Sequence, residues 1–165
     1  MASGIVVSDT STLIALAWLD RLDLIFDLFG SIHIPVAVEV ELYRNLKLVG
    51  ITEFKATAWV IVTPVRDELA VKLLQDQLDI GESEAIVLAH ELGASLLLMD
   101  ERRGRRRAQQ SNLSVLGTLG ILLRGRQLGL VQRVQPLLDH LRQLPFYMSE
   151  SLYTEILQRA GESNG

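Results

Sequence analysis

Five short runs rich in aliphatic and β-branched residues, each followed by a longer stretch of helical periodicity, constrain this chain more than any other feature. The runs are Ile5 to Ser8, Ile32 to Ile34, Trp59 to Val62, Ser95 to Met99 and Ser114 to Leu116. Between them lie helical patterns at 12–28 (with a break), 36–47, 65–78, 82–93 and 103–111, and more helix follows Thr118. Strands separated by helix-length connections need crossovers, which makes them parallel, with helices covering the sheet. Leu96-Leu97-Leu98-Met99 has the unbroken apolar character of a strand buried on both faces. The expected fold class is therefore α/β, with a five-stranded parallel sheet flanked by helices.

Local chemistry supports the element boundaries. Pro35 suits the first turn of a helix, Gly93 the left-handed position that ends one, and the hydroxyls of Thr118 and Ser149 suit helix N-caps. Val131 to Ala160 reads as two helices with Pro145 between them. Leu152, Ile156 and Leu157 keep helical spacing on the last, so it is expected to dock on the body. No linker divides the chain, and a single domain over 1–165 is expected.

The chain has no cysteine, which removes disulfides, thiolate catalysis and Cys-ligated zinc from consideration. No apolar run reaches the roughly 18 residues of a membrane span, and the N-terminal segment lacks the pattern of a secretion signal, so a cytoplasmic location without membrane association is expected. The net charge of −4 conceals an asymmetry: residues 1–100 hold 15 acidic and 6 basic side chains, whereas residues 101–165 hold 5 and 10. An acidic region beside a basic one suits an enzyme that holds cations and receives a polyanion.

Two aspartates carry the chemical argument. Asp9 ends the run that begins Ile5-Val6-Val7, and Asp100 directly follows Leu96-Leu97-Leu98-Met99. Parallel α/β sheets bind ligands at the carboxyl ends of strands where the strand order reverses. If the first and fourth strands are neighbours there, two carboxylates from distant sequence face each other and repel unless a cation intervenes. Oxygen donors without cysteine, and with only His33, His90 and His140 scattered along the chain, point to Mg2+ or Mn2+. Glu41 lies at the edge of the helical stripe formed by Val38 and Leu42, with Glu39 as its competitor. Glu84 opens the helix containing Ile86, Val87 and Ala89, and Glu82 stands about 200° from it, so only one of the two can share the face that meets the sheet end. Taken singly, each residue also has an ordinary reading as a turn, cap or surface carboxylate.

The order of these segments resembles that of PIN domains. Val7-Ser8-Asp9-Thr10-Ser11-Thr12-Leu13-Ile14 is similar to their opening motif, Ile34-Pro35 through Glu41-Leu42 to the second acidic motif, Gly81-Glu82-Ser83-Glu84-Ala85-Ile86 to the third, and Leu98-Met99-Asp100-Glu101 with its arginines to the fourth. The likeness continues through Gly117-Thr118-Leu119-Gly120 to the last helix and is greatest to stand-alone prokaryotic members similar to the VapC toxins of toxin–antitoxin pairs. It implies a PIN-like, Rossmann-like three-layer fold and metal-dependent endoribonuclease activity, with Asp9, Glu41, Glu84 and Asp100 as catalytic metal ligands. It also implies a homodimer and a small antitoxin partner. Many toxin-type relatives carry Asp at the third acidic position, where this chain has Glu84 beside Glu82, so Glu82 or Glu101 stands as a replacement or supplementary ligand.

On that reading, a divalent ion activates water and withdraws charge from the phosphoryl oxygens, leaving 5′-phosphate and 3′-hydroxyl ends. Thr10 and Ser11 are expected to orient Asp9, with helix capping as the equal alternative; Thr118 carries the same two readings, capping preferred. Arg102, Arg103, Arg105, Arg106 and Arg107 form a patch suited to RNA phosphates, or else a solvated helix face or a surface for an acidic partner. A mean hydropathy of +0.26 adds to the expectation of self-association. The alternatives are a degenerate domain that binds RNA or protein without cutting, and a haloacid-dehalogenase-type phosphatase, which needs a second Asp where this chain has Ser11.

Overall fold

The computed structural model describes residues 4–162 apart from Leu46 and Val49. Its five strands, β1 (Val6–Ser8), β2 (Ile32–Ile34), β3 (Val60–Val62), β4 (Leu96–Leu98) and β5 (Val115–Leu116), form one sheet of order β3-β2-β1-β4-β5. Every pairing is parallel, and β1 aligns Val6 with Leu96 and Ser8 with Leu98. The chain builds outward from β1 to β2 and β3 on one side, then returns to place β4 and β5 on the other. Strand order thus reverses between β1 and β4, which opens a crevice at their carboxyl ends.

Strand alternation divides the core in two. Val6, Leu96 and Leu98 pack with Leu13, Leu16, Ile25 and Leu138 on one face, whereas Val7, Leu97 and Met99 pack with Ile86, Leu88 and Ala108 on the other. The first face is covered by α1 (Thr10–Trp18), α2 (Asp23–Phe29), α3 (Val36–Tyr43), α4 (Ile51–Lys55), α8 (Thr118–Gln127), α9 (Gln135–Leu141) and α10 (Glu150–Arg159). The second is covered chiefly by α6 (Ile80–Glu91) and α7 (Arg102–Gln110), with α5 (Glu68–Leu74) against α6. This is the three-layer α/β architecture expected from the alternation of strands and helices.

The differences are local. The helical pattern at 12–28 is two helices, broken where Asp20 takes a positive φ of 54°. The helix expected over 36–47 ends at Tyr43, and residue 46 of that range lies outside the described residues. Helix α4 was not anticipated. Gly93 follows α6 at φ 58°, and Ser149 caps α10 by accepting from the Leu152 N–H at 3.1 Å. Ile156 and Leu157 are buried in the first core, and the Glu162 carboxylate accepts from the N–H groups of Val134 and Gln135 at the start of α9.

Candidate functional site

Asp9 and Asp100 are brought together by the β1–β4 pairing. Asp9 lies one residue beyond Ser8 and Asp100 two beyond Leu98, and the Asp9 N–H donates to the Leu98 carbonyl at 3.0 Å. Asp9 is 1% exposed and also occupies the N-cap of α1, where it accepts from the Thr12 N–H at 3.4 Å. The Ser11 hydroxyl lies 2.9 Å from both Asp9 carboxylate oxygens and accepts from the Asp100 N–H at 3.2 Å. One small residue therefore ties the two strand ends together.

Asp100 is held from the other side. Its Oδ1 accepts from the Thr118 N–H at 2.7 Å, and its Oδ2 accepts from the Thr118 hydroxyl at 2.5 Å. Thr118 is the first residue of α8 and Gly117 occupies the cap position, so the capping preferred for Thr118 on sequence is corrected: its hydroxyl serves Asp100. Gly117 is required by close approach, since a Cβ there would lie 2.6 Å from Asp100 Oδ1 and 2.5 Å from an Arg105 guanidinium nitrogen.

The electrostatics of the pair are unbalanced. Burial first, and Asp100 next, push the Asp9 carboxyl well above its ordinary range. Burial also raises Asp100, opposed by the Thr118 hydrogen bonds and the Arg105 charge. No ion pair among the described residues reaches Asp9. The Thr12 hydroxyl is buried without a hydrogen-bond partner among the described residues, yet close enough to act on Asp100. A fully buried carboxylate beside a second one, with no ion pair to it among the described residues, fits a hydrated cation.

Glu41 reaches the crevice from α3, where its Oε2 accepts from the Thr10 hydroxyl and burial raises its pKa. Gly81 at the start of α6 makes room for it, because a Cβ there would meet Glu41 Oε1 at 2.6 Å. The two glutamates of α6 part ways. Glu84 Oε2 accepts from the Ala37 N–H at 2.9 Å, so the structure turns this expected ligand toward the first turn of α3. Glu82 instead forms a capping box with Asp79, accepting from the Asp79 N–H at 3.2 Å while Asp79 Oδ1 accepts from the Glu82 N–H at 2.8 Å. Burial, Asp79, Glu101 and Glu41 together hold Glu82 at a pKa of about 7, and Glu82 in turn raises Asp9. Asp79, which sequence reasoning passed over, lines the same crevice of about 470 Å³ as Thr10, Ser11, Glu41, Asp100 and Glu101. The Asp-x-x-Glu signature at 79–82 was its available signal.

The arginines share the outer side of α7, opposite the buried Gly104 and Ala108, but have different neighbours. Arg102 lines the crevice, and Arg105 lies beside Asp100 with its guanidinium donating to the Met99 carbonyl at 3.0 Å. Arg107 lies against Leu73 and Leu74 of α5, away from the carboxylates, and Arg103 and Arg106 are exposed. His33 bonds the Thr63 hydroxyl at 2.8 Å and lies on the sheet, consistent with a packing role.

No group of three or more carboxylate or histidine side chains among the described residues converges into a ready-made metal cage. Mg2+ does not require one, because it commonly binds through one or two carboxylates, keeps several waters and completes its shell with substrate phosphate. The all-oxygen pair of Asp9 and Asp100 fits that ion. Residues 5–162 match a family model described as a PIN domain. A search of curated proteins gives no match.

Proposed function

The chain belongs to the PIN-domain family, whose members are generally nucleases and bind nucleic acid, and on that premise we propose that it is a metal-dependent endoribonuclease. The observation that carries the reading is Asp9: a fully buried carboxylate beside a second one, with no cationic side chain among the described residues in an ion pair with it. Asp9 and Asp100 would hold Mg2+ or Mn2+, with Glu41 and either Glu82 or Glu84 completing the acidic wall. When bound, the ion supplies an activated water and a Lewis acid for the phosphodiester.

The residues of the chain do the rest. Ser11 and Thr118 fix the rotamers of the two aspartates, Thr10 fixes Glu41, and Arg102 and Arg105 attract the RNA backbone. Water as the nucleophile leaves a 5′-phosphate and a 3′-hydroxyl. The finer reading, a VapC-like toxin acting as a homodimer and restrained by a small antitoxin, rests on the motif order and the positive mean hydropathy. No helix among the described residues is long and apolar enough to cross a membrane.

That no three carboxylates among the described residues converge favours one alternative, a domain that binds RNA or a protein without cutting it. Incubation of mixed RNAs with and without Mg2+ or Mn2+ decides between them. Ion-dependent fragments with 5′-phosphate ends are expected, and intact RNA that nevertheless binds the protein would establish the alternative.

A further inference from the structure

A second chamber of about 400 Å³ opens from the other side of Asp100. Leu119 and Leu123 of α8 and Ile156 of α10 form its apolar wall, and Phe146 and Tyr147 stand between it and the carboxylate crevice, lining both. Two cations face it: Arg105 beside Asp100, and Arg159 at the end of α10. The side chain of Arg159 is 60% exposed, and its contact with Glu155 is a loose 3.8 Å pair, so a phosphate would meet little competition there.

Tyr147 is otherwise hard to explain, since the residue is 91% exposed on a chain with few aromatics. Its backbone is nonetheless well placed. The segment between α9 and α10 is spanned by the Arg142–Glu150 ion pair, by the Arg142 guanidinium 4.3 Å from the Tyr153 ring centroid, and by the Tyr153 hydroxyl donating to Asp139 at 2.6 Å. A solvent-facing ring on a braced segment beside an apolar chamber matches what an unstacked nucleobase needs, namely a flat partner and a dry wall.

We infer that this chamber is a nucleotide subsite: it takes the nucleotide next to the scissile phosphate, with the base against Phe146 and Tyr147 and its outer phosphate at Arg159. The inference rests on the ribonuclease reading above, because the shared lining residue Asp100 is what places a substrate phosphate at the chamber's mouth. Volume agrees, as pockets for small organic ligands start near about 300 Å³. Tyr147 is then a specificity-determining residue, not part of the metal chemistry.

The test uses single-stranded RNA about ten nucleotides long, within the span of single-strand binding sites, carrying photoreactive iodouridine, with the full chain and Mg2+. Cross-links are expected at Phe146 or Tyr147. Tyr147→Ala should raise KM roughly ten-fold with a much smaller change in kcat, and Tyr147→Phe should behave as wild type because stacking needs the ring and not the hydroxyl. Arg159→Gln should flatten the salt dependence of binding by about one unit of log–log slope. If the wild type cleaves RNA but cross-links elsewhere, and Tyr147→Ala leaves KM unchanged, the subsite is overturned while the nuclease stands. If the wild type neither binds nor cleaves RNA, both assignments fall.

Discussion

Thr118 grips both carboxylate oxygens of Asp100, one through its backbone N–H at 2.7 Å and the other through its hydroxyl at 2.5 Å. Both bonds favour the ionised carboxylate and oppose the burial that raises its pKa. Thr118→Val keeps the N–H and removes the hydroxyl, at a cost of about 1 kcal/mol in stability. Cleavage should fall about 10- to 100-fold. The acid limb of the pH–rate profile should move to higher pH, since Asp100 becomes harder to ionise, and Thr118→Ser should restore it.

Asp9→Asn and Asp100→Asn are expected to abolish cleavage and weaken ion binding while leaving the fold intact. In Asp9→Asn the loss of a buried charge should raise the melting temperature of the metal-free protein by several degrees near pH 8. Added Mg2+ should stabilise the wild type and leave the variant unchanged. Thermal melts with and without the ion, beside an RNA cleavage assay, check both halves; undiminished cleavage in either variant would remove these aspartates from the reaction.

Glu82 makes metal-free stability depend on pH in a stated direction. Its folded pKa of about 7 lies above the ordinary 4.5, so the native state binds the extra proton between those values. The contribution is fully present below 4.5 and is lost as pH rises through 7. Glu82→Gln should flatten that slope in melts collected across this window.

Glu84 behaves as a cap. Glu84→Ala should cost about 1 kcal/mol in denaturant unfolding through loss of the Ala37 N–H partner, and Glu84→Gln should recover most of it. Cleavage should fall further in Glu82→Gln than in Glu84→Gln. The reverse order would return the ligand role to Glu84.

The arginines separate by position on α7. Arg102→Gln and Arg105→Gln should each lower the salt slope of RNA binding by about one unit, whereas Arg107→Gln, facing α5, should leave it unchanged. Equal effects at all three positions would mean that the RNA path crosses α5 as well.

Much of this arrangement was legible in the sequence. The strands were marked by aliphatic runs, and Asp9 and Asp100 by following two of them directly. What escaped had physical causes. A threonine hydroxyl serves a helix end or a carboxylate equally well, so Thr118 was undecidable without knowing that β4 and β5 are adjacent. The choice between Glu82 and Glu84 depends on helical phase, which the Asp79 capping box sets before the periodic apolar face of Ile86, Val87 and Ala89 declares itself. The five residues of α4 are too few to show a period. Five arginines within six positions give no sign in a linear sequence of which ones meet the crevice, because at 3.6 residues per turn they spread over roughly half of the helix circumference. Phe146 and Tyr147 lie in an irregular connection, where no periodicity marks a residue.

The central position of β1 has a consequence for synthesis. Of the five strands β1 is made first and finds one neighbour in β2, but its other neighbour, β4, emerges only after β2, β3 and the helices between them. Asp9 meets Asp100 through that late pairing, and Asp100 gains its Thr118 contacts only after β5 has followed. A truncated product that stops before β4 therefore lacks Asp100, half of the acidic pair, and cannot assemble the candidate site.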